Sequence, residues 1–466
     1  MDQNPTRTPN PRRRKKTKME IIKEAYLPTV FLALTGLLVV IFLVGGAIRR
    51  STPVVPETTP PPVTQNTENV ALQQEADALL IRAAALAADY DYAGAVDVLE
   101  SFSGDPMKYP ELITKRQEYR DALASLVTWS DPSQVTSLSF HMLIADPARA
   151  FADQSYGKAY NKNFVTTQEF AQILEQLYAN GYILVSLSDI AEVITVDGQT
   201  RLQGKQLQLP AGKKPLLLTQ TNVNYYTYMV DGNGDGLADE KGAGFASCLK
   251  VGANGELVCE MVDAQGNVTT GDYDLVPMLE TFIASHPDFS YRGARAVVAV
   301  SGYDGIFGWR TDPETKDKFG QDFYDRQVAE AQSVVNALRE HGYELACYTY
   351  GNMSYGEISA AEIQNDLKKW TSEVTPILGQ TDILVYAQGT QLDSYEGTKY
   401  NVLKNAGFRF YLGFVGGSLG SQMGADYLLQ QRITVTGSQM AHNPAIYSSF
   451  FDASQVLDPQ RGNVPQ

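Results

Sequence analysis

Histidine and cysteine are scarce in this chain: 466 residues hold four of the first and three of the second. Three cysteines allow at most one internal bridge, which excludes a disulfide-stapled scaffold. Cys248 and Cys259 flank Gly252-Ala253-Asn254-Gly255 symmetrically in a stretch that reads as a β-hairpin. If those four residues form the loop, the two sulfurs face each other, and a disulfide and two free thiols both remain open. Cys347 is unpaired either way. Positive charge is scarce too, beyond residue 50: the first 50 residues carry 10 Lys+Arg against 3 Asp+Glu, and the remainder carries 28 against 50, net −22. A body that acidic argues against nucleic acid and anionic polymers as partners.

What is present is laid out in order. Residues 1–26 form a basic tail around Arg12-Arg13-Arg14-Lys15-Lys16, and Leu27 to Ile48 then run 22 residues without a charge, long enough to span a bilayer. Eight Lys+Arg precede the run and Arg49-Arg50 follow it, so a single-pass anchor would leave the N-terminus in the cytoplasm and the body outside. A Pro/Thr-rich spacer covers 49–67. From 68 to 129, small and apolar residues recur at helical steps (Ala76, Leu79, Leu80, Ala83, Ala84), followed by Tyr90-Asp91-Tyr92. This predicts a helical stalk like one tetratricopeptide hairpin, with a third helix from about Pro110.

From 135 to 466 short apolar runs alternate with helical stretches. The sequence predicts a strand at Ser137–Met142, a helix from Thr167 to Gly181 and a strand at Tyr182–Leu187. Lys213 to Tyr226 is the informative stretch. Leu216, Leu217 and Leu218 suit a strand buried on both faces, and polar residues begin where it would emerge, the place where parallel α/β folds build sites.

That strand resembles the first motif of the polysaccharide deacetylase (NodB homology) family, Thr-Phe-Asp-Asp-Gly. Thr219 matches, whereas Gln220, Thr221, Asn222 and Val223 replace the rest. Gly342 to Met353 resembles the family's later strand and its His-x-x-x-His pair, with Tyr348 and Asn352 at the two histidine positions. Asp382–Gly389 resembles its groove strand, and Gly407–Leu412 with Gln431–Val435 its last two strands. The resemblance implies an α/β fold, an irregular (β/α) barrel of the polysaccharide deacetylase type, here preceded by the transmembrane helix and the small stalk. In that family metal and base together hydrolyse an acetyl group on a glycan. The positions that would supply metal ligands and base hold no carboxylate and no imidazole. The resemblance therefore implies a protein that binds cell-surface glycan or a cell-wall component without a catalytic divalent metal. The alternative is an active metal-dependent deacetylase with relocated ligands drawn from His141, His442, Asp146 or Asp325.

Further features complete the reading. Tyr303, Trp309, Tyr350, Tyr386 and His442 are candidates for the groove, the tyrosines and tryptophan as stacking surfaces for sugar rings. His141 is expected in the first strand as a core or groove histidine, and His286 and His341 at element ends. Asp231, Asn233, Asp235 and Asp239 alternate with glycines, the spacing of a structural calcium loop and equally of an ion-free turn, within an expected hairpin insertion at about 229–275.

Overall fold

The structure, a computed structural model, describes residues 65–466 apart from 130 and 415–419. The basic tail 1–26, the apolar run 27–48 and the spacer up to residue 64 lie outside the described residues. Among the described residues, no helix is long and apolar enough to cross a membrane.

Three helices open the described chain: α1 (Gln65–Ala88), α2 (Tyr92–Glu100) and α3 (Pro110–Ala124). Asp91 starts α2 by accepting the Gly94 N–H at 3.2 Å. Ala76, Ala83 and Ala95 let the helices approach closely around Leu99, Leu112 and Tyr119. From Asn69 onward the helices belong to the same compact unit as the rest, Asn69–Gln466. Tyr90, at the α1–α2 turn, is buried among Ile183, Leu217 and Tyr291, and its hydroxyl donates to the Asp288 carbonyl at 2.8 Å. The Arg292 N–H donates to the Asp89 carbonyl at 2.7 Å.

Ten strands form the central sheet: β1 (Thr136–Phe140), β2 (Tyr182–Leu184), β3 (Lys214–Thr221), β4 (Val297–Val300), β5 (Glu344–Cys347), β6 (Ile383–Val385), β7 (Phe410–Gly413), β8 (Ser421–Met423), β9 (Leu428–Gln431) and β10 (Ile433–Thr434). Their order is β8-β9-β7-β6-β5-β4-β3-β1-β10, with β2 added to β3. Every pairing is parallel except β8 with β9. β9 pairs with β7, and β10, one residue further along, pairs with β1, so one short segment joins both ends of a curled sheet. Helices cover the outer face: α4 (Thr167–Ala179), α5 (Leu275–Ser285), α6 (Gln321–Glu340), α7 (Ala360–Lys369) and α8 (Gly397–Asn405).

Side chains alternate across each strand, and here the two faces have separate cores. Leu216 and Leu218 pack outward with Phe170, Ile173, Val334 and Leu338, while Leu217 packs inward with Ala299, Ala346, Val385 and Leu412. The small inner alanines suit the narrow interior of a curled sheet.

The insertion departs from expectation in two ways. It is a three-stranded antiparallel meander, Cys248–Val251, Leu257–Val262 and Val268–Gly271, where a hairpin was expected. Its first loop is also one residue longer than the sequence symmetry implies: Val251 pairs with Leu257, and the Gly252 N–H closes on the Glu256 carbonyl at 2.7 Å. Cys248 therefore pairs with Glu260, and Cys259 with Leu249. That one-residue step puts the two sulfurs on opposite faces of the sheet, and Cys248, Cys259 and Cys347 are all free and buried.

Candidate functional site

The carboxyl ends of the parallel strands converge on a cavity of about 690 Å³. His141 follows β1, Asn222 follows β3, Tyr348 follows β5, Gln388 and Gly389 follow β6, and Phe414 follows β7; Arg432, between β9 and β10, completes the inner wall. Asn163, Phe164, Ser438, Gln439 and Asn443 form the outer rim, with Lys162 exposed beside them.

The backbone at this cavity is strained. Asn222 (φ 58°), Thr349 (φ 60°) and Gln388 (φ 58°) all sit in the left-handed region, the most costly of them the β-branched Thr349. Such outliers cost on the order of 1–3 kcal/mol each and persist where packing overrides them, often at functional sites.

Motif positions fall on both sides of the sheet. Thr221 shares the inward face of Leu217, and its hydroxyl lies 2.9 Å from His141 Nδ1. Gln220, one residue earlier, points outward and donates to Asp274 Oδ1 at 2.6 Å, so it is not a groove residue. The Asn222 side-chain carbonyl accepts the Tyr226 hydroxyl at 2.8 Å. Tyr348 lines the cavity, and burial pushes its phenol above the usual value despite the neighbouring Arg432. Asn352 (φ 57°) lies outside the cavity wall, with its buried Oδ1 unpartnered.

These residues do not fit a catalytic transition metal. Such sites use imidazole, thiolate or carboxylate, whereas Thr221, Asn222 and Tyr348 offer a hydroxyl, an amide already engaged by Tyr226 and a neutral phenol beside a guanidinium. Among the described residues, no group of three or more His, Cys, Asp or Glu is arranged to hold an ion. His141 is the only relocation candidate at the cavity. Desolvation, reinforced by Arg432, depresses its pKa to about 4, leaving a neutral imidazole. Asp146 caps a short helix by accepting the Arg149 N–H at 3.2 Å. Asp325 lines a separate surface depression beside Tyr324. His442 ends the helix Gly437–His442 and points to the Val464 carbonyl at 3.0 Å, away from the cavity.

The aromatic candidates are also separated. Tyr386 follows an outward position, because Val385 and Ala387 face inward; it is fully buried among the helices, 3.0 Å from the Tyr395 hydroxyl. Trp309 is half-buried and donates its indole N–H to the Leu249 carbonyl at 2.8 Å. The Leu249 N–H returns a bond to the Phe307 carbonyl at 3.0 Å, so this glycine-rich loop is glued to the meander. Gly308 (φ 84°) makes that approach possible, since a Cβ there would lie 2.1 Å from the Ser247 carbonyl oxygen. Tyr303 and Tyr350 share a smaller cavity of about 250 Å³ with Asp304, Asp312, Glu314 and Glu373.

Sequence reading passed over two tyrosines. Tyr156 and Tyr228 are half-exposed, and with Tyr226 and Tyr303 they form a row: Tyr156 to Tyr228 at 5.3 Å between ring centres, Tyr228 to Tyr226 at 5.6 Å, Tyr226 to Tyr303 at 5.9 Å. The row meets the cavity at Asn222 through the Tyr226 hydroxyl. The signal in the sequence was Tyr225-Tyr226 with Tyr228 directly after the motif strand.

The Asp231–Asp239 loop closes on itself. Asp231 accepts the N–H groups of Asn233, Gly234 and Gly236, Asp239 those of Gly232, Asn233 and Lys241, Asp235 that of Leu237, and Asn233 that of Asp235. The calcium that the spacing allows is not needed to close it.

Asp274 is a further buried carboxylate that the sequence did not single out. It begins α5, and its Oδ1 accepts the N–H of Leu275 and of Leu143 at 2.8 Å each, tying the segment after His141 to the helix layer. Its other oxygen accepts the Tyr225 hydroxyl. Burial raises its pKa from 3.8 to about 6, against the lowering effect of these bonds. A raised folded-state value stabilises below the unfolded pKa and is lost as pH rises through about 6. Asp274→Asn keeps the Oδ1 acceptor and cannot titrate. The wild type is expected to gain about 2.5 kcal/mol relative to this variant between pH 7 and pH 4, measured by urea denaturation at each pH. A relative loss on acidification would show that the fold holds the carboxylate, not the acid.

A cavity of comparable size, about 710 Å³, opens between the end of α4 and residues 444–455. Its only carboxylate, Asp452, is spent on the N–H of Ser454 at 3.0 Å.

Comparison with known proteins adds little. No protein-family model matches the chain, and no curated protein does. Among solved structures it is similar to the Streptococcus pyogenes deacetylase PplD in complex with acetate, with 13% identity and a TM-score of 0.36, over 70% of this chain and 100% of that one. With a likeness that distant, function has to be read from the site.

Proposed function

We propose that the chain is a membrane-anchored extracytoplasmic protein, with a barrel of the polysaccharide deacetylase type, that binds cell-surface glycan without hydrolysing it. The observation that carries this reading is the tyrosine row ending at the strand-end cavity. The exposed rings Tyr156, Tyr228 and Tyr303, packed around the buried Tyr226, offer faces for pyranose rings, and the cavity beyond them is lined by amides and hydroxyls together with His141 and Arg432. Absence of imidazole–carboxylate ligands at the motif positions supports binding over hydrolysis. The anchor rests on the uncharged run 27–48 and the basic tail before it.

The test uses the full-length chain in detergent micelles, with affinity for a chito-oligosaccharide measured by calorimetry. Tyr228→Ala with Tyr303→Ala removes two exposed rings and is expected to weaken binding by about 2 kcal/mol, roughly thirtyfold in Kd. Unchanged affinity in the double variant would remove the basis of the glycan reading.

A further inference from the structure

We propose that the strand-end cavity is a receptor for a single carboxylate, so that the glycan it takes carries an acidic sugar residue seated against Arg432. This deepens the glycan reading and rests on it for the sugar, though not for the carboxylate.

Arg432 is 3% exposed and lines the cavity. Its Nη1 donates to Ser139 Oγ at 2.8 Å and its Nη2 to the Tyr386 carbonyl at 2.7 Å, and the Tyr348 phenol lies beside it. Both acceptors and the neighbouring phenol are neutral. No carboxylate among the described residues pairs with Arg432, and its Nε has no partner. A buried guanidinium without a counter-charge is costly, and buried charges are ordinarily paired. The pairing group is therefore expected from outside the chain.

Counting donors identifies that group. A guanidinium has five N–H groups; one on Nη1 and one on Nη2 are spent on Ser139 and Tyr386, which leaves one N–H on each of those nitrogens beside the buried Nε–H. Two N–H groups match the two oxygens of one carboxylate. A doubly charged phosphate would meet only one buried cation, because His141 beside it is neutral, and Lys162 stands at the exposed rim. No Asp or Glu lines the cavity among the described residues.

The surroundings restrict the ligand further. Beyond residue 50 the chain carries net −22, which repels a polyanion at long range and favours a mostly neutral glycan with an isolated acid group. Asn163, Asn222, Gln388 and Asn443 can satisfy hydroxyl and acetamido groups, and Phe164 and Phe414 give apolar faces for a ring. The Tyr226 hydroxyl, bonded to Asn222, ties the tyrosine row to this wall.

The experiment compares three probes on the full-length chain: an N-acetylglucosamine oligosaccharide ended by one glucuronic acid, its methyl ester, and the unmodified oligosaccharide. The acid is expected to bind at least tenfold tighter than the ester. Arg432→Gln should abolish that preference, bringing acid and ester to equal affinity within the variant. Arg432→Lys, which keeps the charge should the glutamine variant fail to fold, should retain part of it. Equal binding of acid and ester, with the unmodified oligosaccharide still bound, overturns the carboxylate receptor and spares the glycan reading. If no oligosaccharide binds but free glucuronate stabilises the wild type and not Arg432→Gln in thermal melts, the carboxylate site stands and the glycan reading falls. If neither probe class has an effect, both fall.

Discussion

Replacing Arg461 by Met is expected to cost about 3–5 kcal/mol of stability, the range for removing one member of a buried ion pair. Glu169 is completely buried in the first turn of α4 and Arg461 lies near the C-terminus. Arg461 Nε and Nη2 both donate to the Glu169 carboxylate, the second at 2.6 Å, and Nη1 donates to the Asn161 carbonyl at 2.7 Å. The same carboxylate caps α4 by accepting the Thr166 N–H at 2.8 Å and holds the Asp458 N–H at 2.9 Å. Removal of the cation strands a buried anion that also organises the last residues of the chain. The double variant Arg461→Met with Glu169→Gln removes the stranded charge, so its loss in urea denaturation should be clearly smaller than that of Arg461→Met alone. Equal losses would mean that the pair acts through packing.

Tyr90→Ala is the second large effect, about 3 kcal/mol, as expected for emptying a buried aromatic site. The ring closes the amino-terminal end of the inner core beside Leu217, Ile183 and Val135, and its hydroxyl satisfies the Asp288 carbonyl. The helices thus pack on the folded body through Tyr90. Protease sensitivity between α3 and β1 should rise in the variant as the helical layer undocks. A variant as stable and as resistant as the wild type would make the helices an independent spacer.

The strand and helix succession was legible because apolar runs and caps mark it: the α4 boundaries lie within two residues of the expected Thr167–Gly181, and Leu216–Leu218 is the centre of β3. The antiparallel pair Ala191–Val196 and Gln199–Gly204 escaped notice, since its strands are polar and largely exposed; Asp197-Gly198, both with positive φ, was the available signal. Alternation would have corrected one site residue. Ile383, Val385 and Ala387 share the inner face, which turns Tyr386 outward, and the same rule separates Gln220 from Thr221. Arg432 could not be recognised from sequence, because its isolation depends on Ser139, Tyr348 and Tyr386 converging from three distant strands. His442, a candidate as the histidine nearest the last strands, and Trp309, a candidate from its aromatic Gly-rich loop, are each held by a backbone carbonyl away from the cavity.

The central claim is glycan binding without hydrolysis at the strand-end cavity. It is tested most directly by loading the full-length protein with zinc, cobalt or nickel and measuring, on one acetylated oligosaccharide, both bound metal and released acetate alongside affinity. Binding with no stoichiometric metal and no acetate is the expected result. One metal ion per chain with steady acetate release would contradict it and place a working hydrolytic site in this fold.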